Sequence, residues 1–275
     1  PFFNLTFGPL MLPLLLALPF GPFLAWKRGD IRGASQRLFV AAAVALVAVV
    51  ASLAVFQRGP WLAPFGIALG VFVMMGAMSE IAYRVKLGSA ERDEVLRRLG
   101  NLPRSVIGTA LAHFGVGLMV VGIVATSAYQ TESVLVMKPG ETTEVAGYRL
   151  TFKGVAPAQG PNYREQIGTF EVTRDGDPIA PLYPSKRIYD QPPQPTSEAG
   201  IHASWRGDLY TVLGDAQQEG GGYSVRIYFN PLVRFIWIGA VIMFIAGGIS
   251  LADRRLRVGA PIRGQRRRAS PQPAE

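Results

Sequence analysis

Residues 105–128 read SVIGTALAHFGVGLMVVGIVATSA, a run with no Asp, Glu, Lys or Arg and a single histidine, His113. As a helix this run rises about 36 Å, enough to cross a hydrocarbon core of about 30 Å. Directly beyond it the hydrophobic period changes. Tyr148, Leu150 and Phe152 alternate with polar neighbours, and so do Tyr223, Val225, Ile227 and Phe229, which is strand spacing. A membrane-crossing helix that opens into a β segment organises the chain.

Working outward, four more stretches lack charged residues: 1–26, 38–57, 59–79 and 235–252. They predict spans at Leu10 to Trp26, kinked by Pro13, Pro19 and Pro22, at Leu38 to Phe56, at Trp61 to Tyr83, and at Phe235 to Ala252, alongside Ser105 to Ala128. Only 17% of the 275 residues are charged, against about 25% in ordinary soluble domains, so a single soluble globule is excluded. Basic residues gather in three places: Lys27 to Arg37, Arg84 to Arg104, and Arg254 to Arg268. The positive-inside rule puts these in the cytoplasm and 129–230 outside. That outer segment holds nine Lys or Arg against twelve Asp or Glu. The net charge of +9 therefore belongs to topology signals and lipid contacts, and no nucleic acid is expected as a partner.

The fold class expected is a polytopic α-helical membrane protein of about five transmembrane helices with an inserted small antiparallel β domain, an OB-like barrel in shape. Residues 1–128 hold four transmembrane helices with cytoplasmic loops. Residues 129–230 are the β domain, 231–252 the last helix, and 253–275 a basic cytoplasmic tail. Turn dipeptides at Ala146-Gly147 and Asp175-Gly176 and the run Gly220 to Gly222 punctuate the β domain. The Pro-rich stretch from Gln191 to Gly200 reads as an exposed ordered loop or a partner-binding surface, and Ala90 to Leu99 as a short amphipathic cytoplasmic helix. A start at Pro1, with no signal-peptide pattern, reads as a piece of a longer protein.

Cysteine is absent, which removes disulfides and thiol chemistry. His113 stands about 13 Å beyond Arg104 along the helix, near mid-membrane, where an ionisable side chain is a functional candidate. Its residue chemistry leaves three roles open: haem ligand, hydrogen bond to a neighbouring helix, or proton relay. Gly108, Ala112, Gly115 and Gly122 form a separate small-residue stripe suited to close helix approach, while Ala110 and Gly117 leave room beside the imidazole. Glu80 pairs with Arg84 at helical spacing or serves a proton path. Met74, Met75 and Met78 fill gaps, and Arg58 and Arg234 meet headgroups or propionates. His202 with Ser197, Ser204 and Asp208 lacks the elbow of a hydrolase, and Asp175-Gly176-Asp177 is a turn rather than a calcium loop.

Residues 108–117 (GTALAHFGVG), 196–201 (TSEAGI), 208–214 (DLYTVLG) and 228–232 (YFNPL), in this order, resemble the C-terminal part of the CcmF family, haem lyase subunits of system I cytochrome c maturation. The resemblance implies a multi-pass protein of the bacterial inner membrane with its β domain in the periplasm. It implies haem accepted from the chaperone CcmE and joined by thioether bonds to apocytochrome c, with a CcmH-type subunit assisting. It also implies an intramembrane haem b with His113 as one axial ligand. The family's tryptophan-rich segment has no counterpart, since Trp26, Trp61, Trp205 and Trp237 are scattered. The second ligand and the substrate-haem histidines belong to the remaining N-terminal part of CcmF, without which this enzyme subunit is expected to be inactive. The alternative is a membrane scaffold or transporter subunit with a receptor domain and a structural intramembrane histidine.

Overall fold

The protein is described by a computed structural model covering residues 2–24, 29–56, 58–217 and 221–253. Seven α-helices and ten strands occur among them. The helices are α1 (Phe2–Ala17), continued by a 3₁₀ stretch Leu18–Phe23, then α2 (Ile31–Arg37), α3 (Phe39–Val55), α4 (Ala63–Val85), α5 (Arg92–Gly100), α6 (Arg104–Tyr129) and α7 (Arg234–Leu251). Four segments are long and apolar enough to cross a membrane: Leu5–Phe23, Ala63–Val85, Arg104–Tyr129 and Arg234–Leu251. A fifth requires α2 and α3, bent by 54°, to count as one. The 17 residues of α3 rise only about 26 Å, so this span needs α2 to reach its full length. The expected basic tail and the Lys27-Arg28 pair lie outside the described residues.

The chain divides into two compact units. One comprises residues 1–44, 72–117 and 239–275, the other 45–71 and 118–238. In the first, the small-residue stripe does the work expected of it. A Cβ built on Gly108 would lie 2.7 Å from the Ala246 carbonyl, and one on Gly115 2.7 Å from that of Gly239. Here α6 and α7 approach backbone to backbone, a distance only glycine permits. At one end of this pair the Ser105 amide donates to Asp253 Oδ2 at 3.0 Å. Pro19 and Leu38 close on Gly76 of α4, and the Arg37 guanidinium lies 4.2 Å from the Tyr83 ring centroid.

In the second unit the stripe continues, with Gly122 set against Ile236, and Phe56 stacks on Tyr129 at 4.1 Å. The chain then forms a β-sandwich. One sheet has the order β1 (Thr131–Met137), β10 (Tyr223–Pro231), β9 (Gly207–Ala216), β8 (Gly200–Ala203). The other runs β2 (Thr142–Val145), β3 (Tyr148–Gln159), β4 (Tyr163–Arg174), β6 (Ser185–Asp190), β7 (Pro193–Glu198), with β5 (Asp177–Leu182) also on β4. Alternate residues of the two inner faces meet in one core: Met137, Tyr148, Leu150, Phe152, Phe170, Leu209, Leu213, Val225 and Ile227, each at most 1% exposed.

This corrects two expectations. The small antiparallel domain is present, but as a two-sheet sandwich rather than an OB-like barrel, because among the described residues no ladder joins the edge strands of the two sheets. The Pro-rich stretch is not a loop, because residues 193–198 pair antiparallel with β6. Prolines are tolerated there because β7 is an edge and its outer side needs no amide donors. The two turn dipeptides behave as read. Ala146 and Gly147 (φ +52° and +79°) and Asp175 and Gly176 (φ +52° and +91°) take the left-handed conformation at both central positions, the two-residue turn that matches strand twist.

A histidine cleft between apolar helices

The site builds from α6. At about 100° per residue, Ser105, Thr109, His113 and Val106 share one sector, Gly108 and Gly115 lie roughly opposite, and Ile107, Ala110, Leu111 and Phe114 occupy the third. The first sector faces a cleft of about 530 Å³, whose further walls come from Leu14, Leu18 and Pro22 near the end of α1 and from Glu80 and Arg84 of α4. Its volume falls in the range of ligand sites. Ala110, one turn from His113 on α6, also lines the third sector.

Two of the residues that wall this cleft carry a buried polar atom without a partner among the described residues. His113 Nδ1 is buried with no hydrogen-bond partner. Glu80 is 3% exposed; its Oε1 accepts from Arg84 Nε at 2.9 Å, and its Oε2 is buried and unpartnered. Buried polar groups are nearly always satisfied, and leaving one bare costs about 1–3 kcal/mol. Neutral imidazole is a lone-pair donor to transition metals, and the carboxylate can accept a proton or a hydrogen bond. The arrangement thus has an unengaged ligand and an unengaged acceptor in one apolar cleft. The i,i+4 spacing of Glu80 and Arg84 was legible beforehand, whereas the wall from Leu14 to Pro22 carried no sequence signal.

The remaining candidates do not assemble a site. Ser204 hydroxyl donates to the Gly207 carbonyl at 2.5 Å, and its amide to Asp208 Oδ1 at 3.3 Å. These are turn bonds, and His202 instead packs edge-on against Tyr148. No group of three metal-capable side chains occurs among the described residues, and Asp175 sits in its hairpin turn. Arg234 lies 3.5 Å from Asp208 and over the Trp205 ring, so it is engaged by the β domain. In the sandwich, Arg187 donates to Glu165 Oε2 at 2.8 Å and Ser185 to the same oxygen at 2.9 Å. The Arg187 bond, aided by Ser185, holds the Glu165 carboxyl below the usual carboxylate range.

Apolar helices long enough to span a bilayer, a β-sandwich inserted before the last of them, and one histidine in a membrane cleft define a multi-pass membrane protein with an appended β domain. Residues 128–231 match the CcmF C-terminal beta-sandwich, and nearly the whole chain is similar to part of CcmF-type cytochrome c biogenesis proteins. It is 49% identical over 266 residues to the cytochrome c-type biogenesis protein CycK of Rhizobium meliloti, covering 97% of this chain and 39% of CycK. It is 33% identical to CcmF of Escherichia coli, covering 94% and 38%. The solved structure of cytochrome c heme lyase CcmF superposes with a TM-score of 0.70 at 25% identity, over 92% of this chain and 40% of that one. The chain thus spans about two fifths of the length of the relatives it matches.

Proposed function

We propose that this chain forms one wall of an intramembrane haem b site, with His113 as an axial ligand of the iron. It does so as part of a cytochrome c haem lyase in the bacterial inner membrane. The observation that carries this reading is the orphaned imidazole. A histidine that lines an apolar cleft roomy enough for a ligand, and whose buried Nδ1 has no hydrogen-bond partner among the described residues, is in the state expected of a ligand whose partner comes from outside them. The residues present fit half of such a site, since His202, the other histidine, lies in the β domain.

When bound, haem b supplies a one-electron redox couple inside the membrane. The chain's own residues hold and shield it. His113 is fixed in azimuth by the glycine contacts on the opposite side of α6. Leu14, Leu18, Pro22 and Val106 exclude water, and Glu80, anchored by Arg84, offers an acceptor oxygen in the same cleft. The β-sandwich stands in the periplasm as a docking body for the haem chaperone CcmE, a CcmH-type subunit or apocytochrome c. The remaining N-terminal part of CcmF contributes the second ligand and the substrate-haem site, and lyase activity requires that part.

The test is the absorption spectrum of the purified full-length assembly, oxidised and dithionite-reduced, with His113→Ala beside it. Sharp b-type bands in the wild type that disappear in the variant support the reading. Bands untouched by the substitution, or none in the intact assembly, overturn it in favour of a histidine that ties helices within a scaffold.

A further inference from the structure

The third sector of α6 faces a second and larger space. Ile107, Ala110, Leu111 and Phe114 line an open groove of about 1120 Å³ whose other wall is Met75, Met78, Ala82 and Val85 of α4 and whose roof is Val95 and Leu99 of α5. The groove is apolar along its length and changes character at one end. There Arg37, Lys86 and Ser89 line it, and no carboxylate does among the described residues. Arg37 makes no ion pair among the described residues and lies on the Tyr83 ring. Glu94, near Lys86, is already bound by Arg98 at 2.6 Å.

The dimensions are informative. From Lys86 to Met75 along α4 the groove runs about 16 Å at 1.5 Å per residue, half of a hydrocarbon core of about 30 Å and so the depth of one leaflet. Over its mouth lies α5, of which no residue is buried. Its Val95 and Leu99 turn toward the groove, while Arg92, Arg97 and Arg98 stand in the same short helix. With Asp93 and Glu94 also in it, the helix is charged on its outer side and apolar toward the groove, the pattern of a helix lying in the membrane interface. A one-leaflet apolar slot ending in two cations and a hydroxyl is complementary to a lipid with a negatively charged phosphate headgroup.

We propose that this groove is a binding site for an anionic phospholipid, with an acyl chain along α4 and α6 and the headgroup phosphate between Arg37 and Lys86. The site lies on the opposite wall of α4 and α6 from the histidine cleft and does not depend on haem at His113. The experiment uses the full-length assembly reconstituted in nanodiscs of mixed phosphatidylglycerol and phosphatidylcholine, with retained lipid counted by native mass spectrometry after detergent washing. The wild type retains phosphatidylglycerol preferentially. Each basic residue near the headgroup contributes roughly a fivefold preference, so Arg37→Gln with Lys86→Gln lowers it by about 25-fold. Leu111→Trp, which fills the groove and leaves both charges in place, also lowers retention. Far-ultraviolet circular dichroism and the gel-filtration profile of the variants serve as a check on folding. Equal retention in the charge variant overturns the proposal. So does a photo-crosslinker at residue 111 that captures the N-terminal part of the same protein instead of lipid, since that part then occupies the groove.

Discussion

Replacing Gly115 by alanine tests whether α6 and α7 are held at glycine distance. The new Cβ would stand 2.7 Å from the Gly239 carbonyl oxygen and 2.9 Å from Met243 Cγ, where ordinary contact begins near 3.4 Å. The methionine can rotate away, but the carbonyl cannot, so the helices must part by about 0.7 Å. Overpacking of this kind costs about 1–3 kcal/mol, and the better helix propensity of alanine returns about 1 kcal/mol. Gly247 on α7 provides the matched control, because nothing lies within 4 Å of its position, and Gly247→Ala keeps the propensity gain alone. The two variants should differ by about 1–3 kcal/mol, so Gly115→Ala should melt below Gly247→Ala. Thermal unfolding of the full assembly in detergent reads the difference. Gly108→Ala meets the Ala246 carbonyl at 2.7 Å, two helical turns away on the same face. Parting the helices for one substitution relieves the other, so the double variant should lose less than the sum. If Gly115→Ala melts as high as Gly247→Ala, the close approach is not what holds this pair.

Three further outcomes follow from the β-sandwich. Leu213, fully buried in its core, should cost about 2–5 kcal/mol when cut to alanine, measured by urea titration of the sheet signal. Gly176 at φ +91° should resist Gly176→Ala by about 1 kcal/mol or more, whereas Asp175→Gly should be nearly neutral; equal melting temperatures would contradict the turn assignment. Glu165 contributes stability that is whole above the unfolded carboxylate value of about 4.3 and is lost as pH falls through its lower folded value, because Arg187 holds the charged form. Acid unfolding followed by circular dichroism should therefore keep part of its pH slope in the wild type and lose it in Glu165→Gln.

The membrane helices were readable because charge exclusion is a local property: each span announces itself within about twenty residues. His113 was readable for the same reason, as the lone ionisable group in an apolar run, and Glu80 with Arg84 because i,i+4 neighbours meet on any helix. What stayed hidden depends on partners distant in the chain. Nothing local in Pro193 to Glu198 reports that β6 will offer a ladder, and turn dipeptides say where strands reverse but not whether ten of them close into a barrel or split into two sheets. The cleft wall from Leu14 to Pro22 was hidden likewise, since a proline-broken apolar run looks the same facing lipid or facing an imidazole.

The three faces of α6 leave it no idle side. With glycines keyed into α7, an imidazole on the cleft and bulky side chains on the groove, any turn of the helix about its own axis moves all three faces together. A change on the opposite side of α6 from His113, such as a methyl group added to Gly108, therefore acts as a twist on the bearing of the imidazole. Fine tuning of that ring is available to mutation through residues that never touch it.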